Sequence, residues 1–137
     1  MRLRRSLVFC SNVMTALVGA VPLMADTLST AELEFFEKRV RPVLVERCYE
    51  CHSVESGKQK GGLRMDSREA LAKGGDAGAA LKPGSPDESL IIQAVRYHNQ
   101  DMQMPPKGAL PKSEIEVLEK WVKMGAPDPR KEGPGVA

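Results

Sequence analysis

Along most of the chain the apolar positions recur at helical spacing. Ser29 and Glu32 form a capping box ahead of Leu33, Phe36, Val40 and Leu44, and those steps of three and four residues predict an amphipathic helix. Pro42 lies inside it and removes a backbone donor, so a kink or restart is expected near Arg41. Gly57, Gly61 and Gly62 predict an irregular segment. Asp66 and Glu69 open a short helix to about Ala72, stopped by Gly74 and Gly75. Gly78, Pro83 and Gly84 continue the chain as loop. Ser85-Pro86-Asp87-Glu88 reads as a helix start, with a cap, a proline at the first position and an acid at the third. Leu90, Ile91, Ala94 and Val95 give that helix one apolar face. After a loop over residues 99–110, a last helix follows Pro111, with Ile115, Leu118, Trp121 and Val122 on one side and Gly125 at its end. No long period-two stretch and no internal repeat interrupts this plan. The expected fold is a small all-α domain: an amino-terminal helix, a loop-rich middle, a helix, a loop and a carboxy-terminal helix.

The two ends read differently. Residues 1–25 have the form of a signal peptide: Arg2, Arg4 and Arg5, an apolar stretch over residues 7–20, and Ala20 or Ala25 as a small residue for cleavage. The apolar stretch is short for a bilayer span and holds Ser11, Asn12 and Thr15, so no integral membrane span is expected once the leader is removed. Cys10 follows Phe9, not a small residue, and does not suggest a lipid-anchor site. An exported, periplasmic or equivalent compartment follows. The domain is expected over residues 26–127, and residues 128–137 read as a flexible tail or linker rich in proline, glycine and charge.

Removing the leader changes the charge. It holds three of the 20 basic residues and none of the 18 acids, leaving 17 against 18 and a net charge of −1. There is no basic stripe with interleaved aromatics, so no nucleic-acid partner is expected. Only six aromatic residues occur in the whole chain, three Phe, two Tyr and one Trp. A domain so poor in aromatics has a thin core by itself, and a bound apolar group would thicken it.

Cys48-Tyr49-Glu50-Cys51-His52 supplies the chemistry for such a group. Two cysteines three apart on one helical turn reach one edge of a porphyrin and can bond its two vinyl carbons. The histidine that follows is carried under the ring, where imidazole coordinates iron. The pattern therefore predicts one haem c, covalently attached through Cys48 and Cys51, with His52 as an axial ligand. A zinc site needs two more ligands, and only Cys10 and His98 remain. A thioredoxin-like redox pair expects a βαβ pattern, which is absent.

A six-coordinate iron needs a ligand on the opposite face. Met65, Met102, Met104, Met124 and His98 are the candidates. Met104 is preferred because Met104-Pro105-Pro106 restrains the backbone at and after the methionine, and a thioether on a stiff loop holds a fixed distance from iron. Met102, two residues away, faces the same way if the chain is extended. His98 would give bis-histidine ligation but reads more simply as a solvated helix end. Met124, among apolar neighbours on the last helix, reads as core filling.

At this point the chain resembles class I cytochromes c, and within them the planctomycete-type cytochrome c domain. The resemblance rests on Val40-Arg41-Pro42, on Cys48 to Ser53, on Gly61-Gly62-Leu63-Arg64-Met65-Asp66-Ser67-Arg68, on Pro83-Gly84-Ser85-Pro86, on Met104-Pro105-Pro106-Lys107, and on Trp121 to Pro127. It implies a cytochrome c-like fold, with Cys48 and Cys51 as haem-attachment residues, His52 as proximal ligand and Met104 as distal ligand. It implies an electron carrier and not an enzyme, serving redox protein partners not identified by the sequence. Such domains usually open longer exported proteins, so the chain is expected to be a free-standing carrier or part of one. Two alternatives stand beside this: a redox or haem-sensing module of a larger exported enzyme, and a haem enzyme with a displaceable distal ligand. Lys58, Lys60, Lys73 and Lys107 flank the expected haem loops and could steer an acidic partner, though solvated loop lysines are the simpler reading. Oligomeric state has no signature in the chain.

Overall fold

A computed structural model describes residues 28–130; the expected leader lies outside them. The first helix, α1 (Thr30–Phe35), starts where the capping box predicts. The Ser29 hydroxyl accepts from the Glu32 amide at 3.2 Å, and the Glu32 carboxylate accepts from the Ser29 amide at 2.8 Å. The expected restart takes the form of a π-helical turn over Phe36–Val40, in which the Arg41 amide reaches back to the Phe36 carbonyl. Helix α2 (Arg41–Arg47) continues the helical path with Pro42 as its second residue, next to the π-turn where the ordinary helical bond ladder is already interrupted. Phe36, Val40 and Leu44 are fully buried as expected, whereas Leu33 is 41% exposed. The wide turn changes the phase between residues before and after it, and Leu33 falls outside the buried face.

Past the Cys48–His52 segment, a two-residue ribbon pairs β1 (His52–Ser53) with β2 (Lys58–Gln59), antiparallel, with His52 opposite Gln59. Helix α3 (Arg68–Lys73) is capped by the Ser67 hydroxyl, which accepts from the Ala70 amide at 3.1 Å, and stops at Gly74 with φ of 74°. The start expected at Ser85 is a separate 3₁₀ turn, Pro86–Glu88, and helix α4 (Leu90–Val95) follows only after an extended Ser89. Ser89 is fully buried. Its hydroxyl accepts from the Lys82 amide at 2.8 Å and donates to the Ser85 carbonyl at 2.9 Å, serving loop backbone that has no helical partner.

The closing helix, α5 (Lys112–Lys123), buries Val117, Leu118, Trp121 and Val122. Trp121 meets Phe36 at a ring separation of 6.0 Å and donates its indole N–H to the Pro127 carbonyl at 2.9 Å. This places the first and last helices against each other in one core, with α4 beside α5.

Of the flexible tail expected over residues 128–137, residues 131–137 lie outside the described residues, and residues 128–130 are docked rather than loose. Asp128 is 4% exposed and Arg130 8%. The Arg130 Nε donates to Asp128 at 2.9 Å, Nη1 donates to the Met65 carbonyl at 2.7 Å and also to the Tyr49 hydroxyl, and the guanidinium lies 5.0 Å from the centre of the Phe36 ring. Two opposite charges two residues apart neutralise each other, which lets a polar-looking stretch enter the core.

Candidate functional site

Cys48 ends α2, and the chain then turns back on itself. The Cys51 amide donates to the Cys48 carbonyl at 3.1 Å and the His52 amide to the same oxygen at 3.0 Å. Both cysteines are therefore displayed on one turn, as their spacing predicts, and both are free thiols. Burial, with a contribution from the Glu114 carboxylate, pushes the Cys48 thiol up to about 12. Among the described residues no group of three or more His, Cys, Asp and Glu side chains is placed to hold a metal, so the zinc reading lacks its ligands.

His52 is fixed from several directions. Its carbonyl accepts from the Met65 amide at 2.8 Å, and its backbone belongs to the ribbon. Its Nδ1 lies 3.2 Å from the Leu63 carbonyl oxygen. A carbonyl can only accept, so Nδ1 carries the proton and donates. The lone pair is left on Nε2, the arrangement a metal-ligating imidazole requires.

These residues face a cavity of about 260 Å³. Cys48, Cys51 and His52 line one part of it, with Leu63 and Met65 beside them. Ile91, Ala94 and Val95 of α4 form a wall, and Met102, Met104, Pro105, Pro106 and Leu110 close it from the loop before α5. The lining is almost wholly apolar, and Met65, Ala80, Ile91, Val95 and Leu110 of the core face it. Two thiols at one edge, an imidazole with Nε2 free and apolar walls fit a covalently held haem.

The methionine loop is held mainly through its backbone. The Met104 amide donates to the Ala94 carbonyl at 3.1 Å, the Tyr97 hydroxyl donates to the Pro105 carbonyl, and the Gln103 side-chain amide donates to the Tyr97 carbonyl at 3.3 Å. The Met104–Pro105 peptide is cis. Met104 is 41% exposed at the cavity edge. Met102 also lines the cavity, but it closes a 3₁₀ turn (Gln100–Met102) and does not lie in extended chain. Met65 is 3% exposed and hydrogen-bonded to His52 through its backbone, on the histidine side. Met124 is 37% exposed and not core filling: it is the C-cap just past the end of α5. Neither Met124 nor the exposed His98 lines the cavity.

Several participants have no signal in the sequence. The Leu63 group that orients His52 is main chain. Tyr97 holds the loop from a left-handed backbone, φ 61°, unusual for a tyrosine. Lys107 is engaged with Glu50 across the cavity mouth, Nζ to Oε2 3.0 Å, although the two are 57 residues apart. That hydrogen bond and charge hold the Glu50 carboxyl below its ordinary range. Of the lysines around the haem loops, Lys107 is thus already paired.

Residues 48–108 match the family described as Planctomycete cytochrome C. No curated protein and no solved structure matches the chain.

Proposed function

From the premise that residues 48–108 are a planctomycete-type cytochrome c domain, with a role in haem binding and electron transfer, we propose a single-haem c-type cytochrome that passes one electron at a time between exported redox proteins. One observation carries this: a single apolar cavity collects Cys48, Cys51, His52 and Met104, with Nδ1 of His52 donating to the Leu63 carbonyl. The haem iron, when bound, supplies one-electron exchange between ferric and ferrous states. Cys48 and Cys51 would hold the group by thioether bonds, and His52 Nε2 and the Met104 thioether would coordinate its iron. The hydrogen bond to Leu63 keeps the imidazole basic and its ring in one orientation. The thioether favours the reduced metal and raises the potential. Ile91, Ala94 and Val95 of α4 would give the group an apolar wall.

No helix among the described residues is long and apolar enough to cross a membrane. Export follows from residues 1–25 acting as a leader, because haem is joined to this motif outside the cytoplasm.

A second reading, a site with a displaceable distal ligand, draws on the 41% exposure of Met104. Absorption spectra of the ferrous protein with and without carbon monoxide separate the two. A closed carrier gives unchanged spectra on mixing; rapid carbon monoxide binding by the untreated ferrous protein overturns the carrier reading.

A further inference from the structure

Two glycine-bearing segments cross beneath His52. Residues 61–63 carry the Leu63 carbonyl that accepts from His52, and the turn at residues 74–78 lies directly against them. The Asp76 amide donates to the Gly61 carbonyl at 2.7 Å, and Gly75 and Gly78 bond each other at 3.0 and 2.9 Å to close the turn. The approach is too close for side chains. A Cβ on Gly75 would stand 3.0 Å from both the Leu63 amide nitrogen and the Leu63 Cβ, and would overlap the Gly61 carbonyl oxygen. In the other direction, a Cβ on Gly62 would stand 2.5 Å from the Asp76 carboxylate oxygen. Gly75 differs from its neighbours in one respect. Gly62, Gly74 and Gly78 have φ of 65°, 74° and 108°, whereas Gly75 has no positive φ. Its backbone suits any residue, so only the contact with residues 61–63 excludes a side chain there.

We propose that Gly75 is a positioning residue for the haem iron, resting on the reading of His52 as its ligand. The side chain it lacks lets the 74–78 turn press on Leu63 and hold that carbonyl at hydrogen-bond distance from His52 Nδ1. The turn therefore acts on the iron through two residues it does not share a helix or strand with, and Gly75 itself lines the same cavity. A side chain at 75 would push Leu63 and lengthen the Nδ1–H···O bond. Imidazole that donates a weaker hydrogen bond is a poorer electron donor to iron, so the ferric state loses stabilisation and the potential rises.

The test uses holoprotein of Gly75→Ala beside Gly84→Ala. Gly84 has φ of 81° and open space around its Cβ, and its amide bonds Val122, so its substitution strains the backbone without touching Leu63. The expected result is a higher potential and a His52 Nδ1–H resonance that exchanges about fivefold faster in Gly75→Ala, the factor that loss of roughly one ordinary hydrogen bond gives. Gly84→Ala should lower the unfolding midpoint and leave both signals at wild-type values. If Gly75→Ala leaves both signals unmoved, or if Gly84→Ala moves them equally, the proposal is overturned while histidine ligation stands. If Gly75→Ala yields no folded protein, hydrogen exchange in the wild-type holoprotein decides. The Asp76 amide and the His52 Nδ1–H should open together with equal protection; a freely exchanging Asp76 amide beside a protected Nδ1–H overturns it. Wild-type holoprotein in which His52 is not bound to iron defeats the underlying reading instead.

Discussion

The two sides of the cavity are built differently. On the histidine side, His52 is held by the ribbon, by the Met65 amide and by the Leu63 carbonyl, and behind it stand the buried Asp128–Arg130 pair and the Phe36–Trp121 contact. On the methionine side, Met104 is 41% exposed and its loop hangs from α4 by few bonds. One side is a finished socket and the other a strap across its mouth. Under the proposed ligation the two sides would divide the labour: the rigid side would fix ligand basicity and ring orientation, and the strap would set whether the sixth position stays closed.

The largest expected break of this contrast is chemical. Replacing both Cys48 and Cys51 with alanine should make haem fully extractable by acidified solvent while wild type retains it; haem that still resists extraction would exclude thioether attachment. Next comes the socket. Asp128→Asn leaves Arg130 buried beside a neutral partner, and removing one member of a buried pair costs about 3 kcal/mol. Denaturant unfolding should show that loss, and a change below roughly 0.5 kcal/mol would mean that the tail does not brace the core.

Changes on the strap should be gentle for the fold and sharp for the spectrum. Met104→Ala should abolish the thioether-to-ferric-iron charge-transfer band and lower the potential. Met102→Ala should keep the band, and the opposite pattern would transfer the ligand role to Met102. Smallest of all, Lys107→Gln should leave the unfolding midpoint unchanged at physiological salt, because both partners of its ion pair are exposed, 79% for Lys107 and 63% for Glu50. A drop that salt does not diminish would show that the pair matters to closure of the mouth.

What the sequence made legible divides along similar lines. Side-chain patterns were readable: the capping box at Ser29, the apolar faces of α4 and α5, the glycine stop at Gly74 and the Cys48–His52 segment all lie where spacing puts them. Features made by backbone or by distant partners were not. Ser89 breaks the expected helix because its hydroxyl is claimed by Lys82 and Ser85. Asp128 and Arg130 look like solvated tail until Tyr49 and the Met65 carbonyl are seen to receive the guanidinium. Gly75 reads as a helix stop, yet its neighbour across the fold, Leu63, explains why it has no side chain. A local pattern cannot announce a contact whose other half is a carbonyl elsewhere in the chain.

The most direct test is a peptide mass. Cleavage after Arg47 and Lys58 releases residues 48–58, which contain both cysteines and His52. In protein purified from an exporting host, that peptide should carry the added mass of one haem and keep it through acidified solvent. Recovery of the bare peptide, with both thiols open to alkylation, would contradict the account.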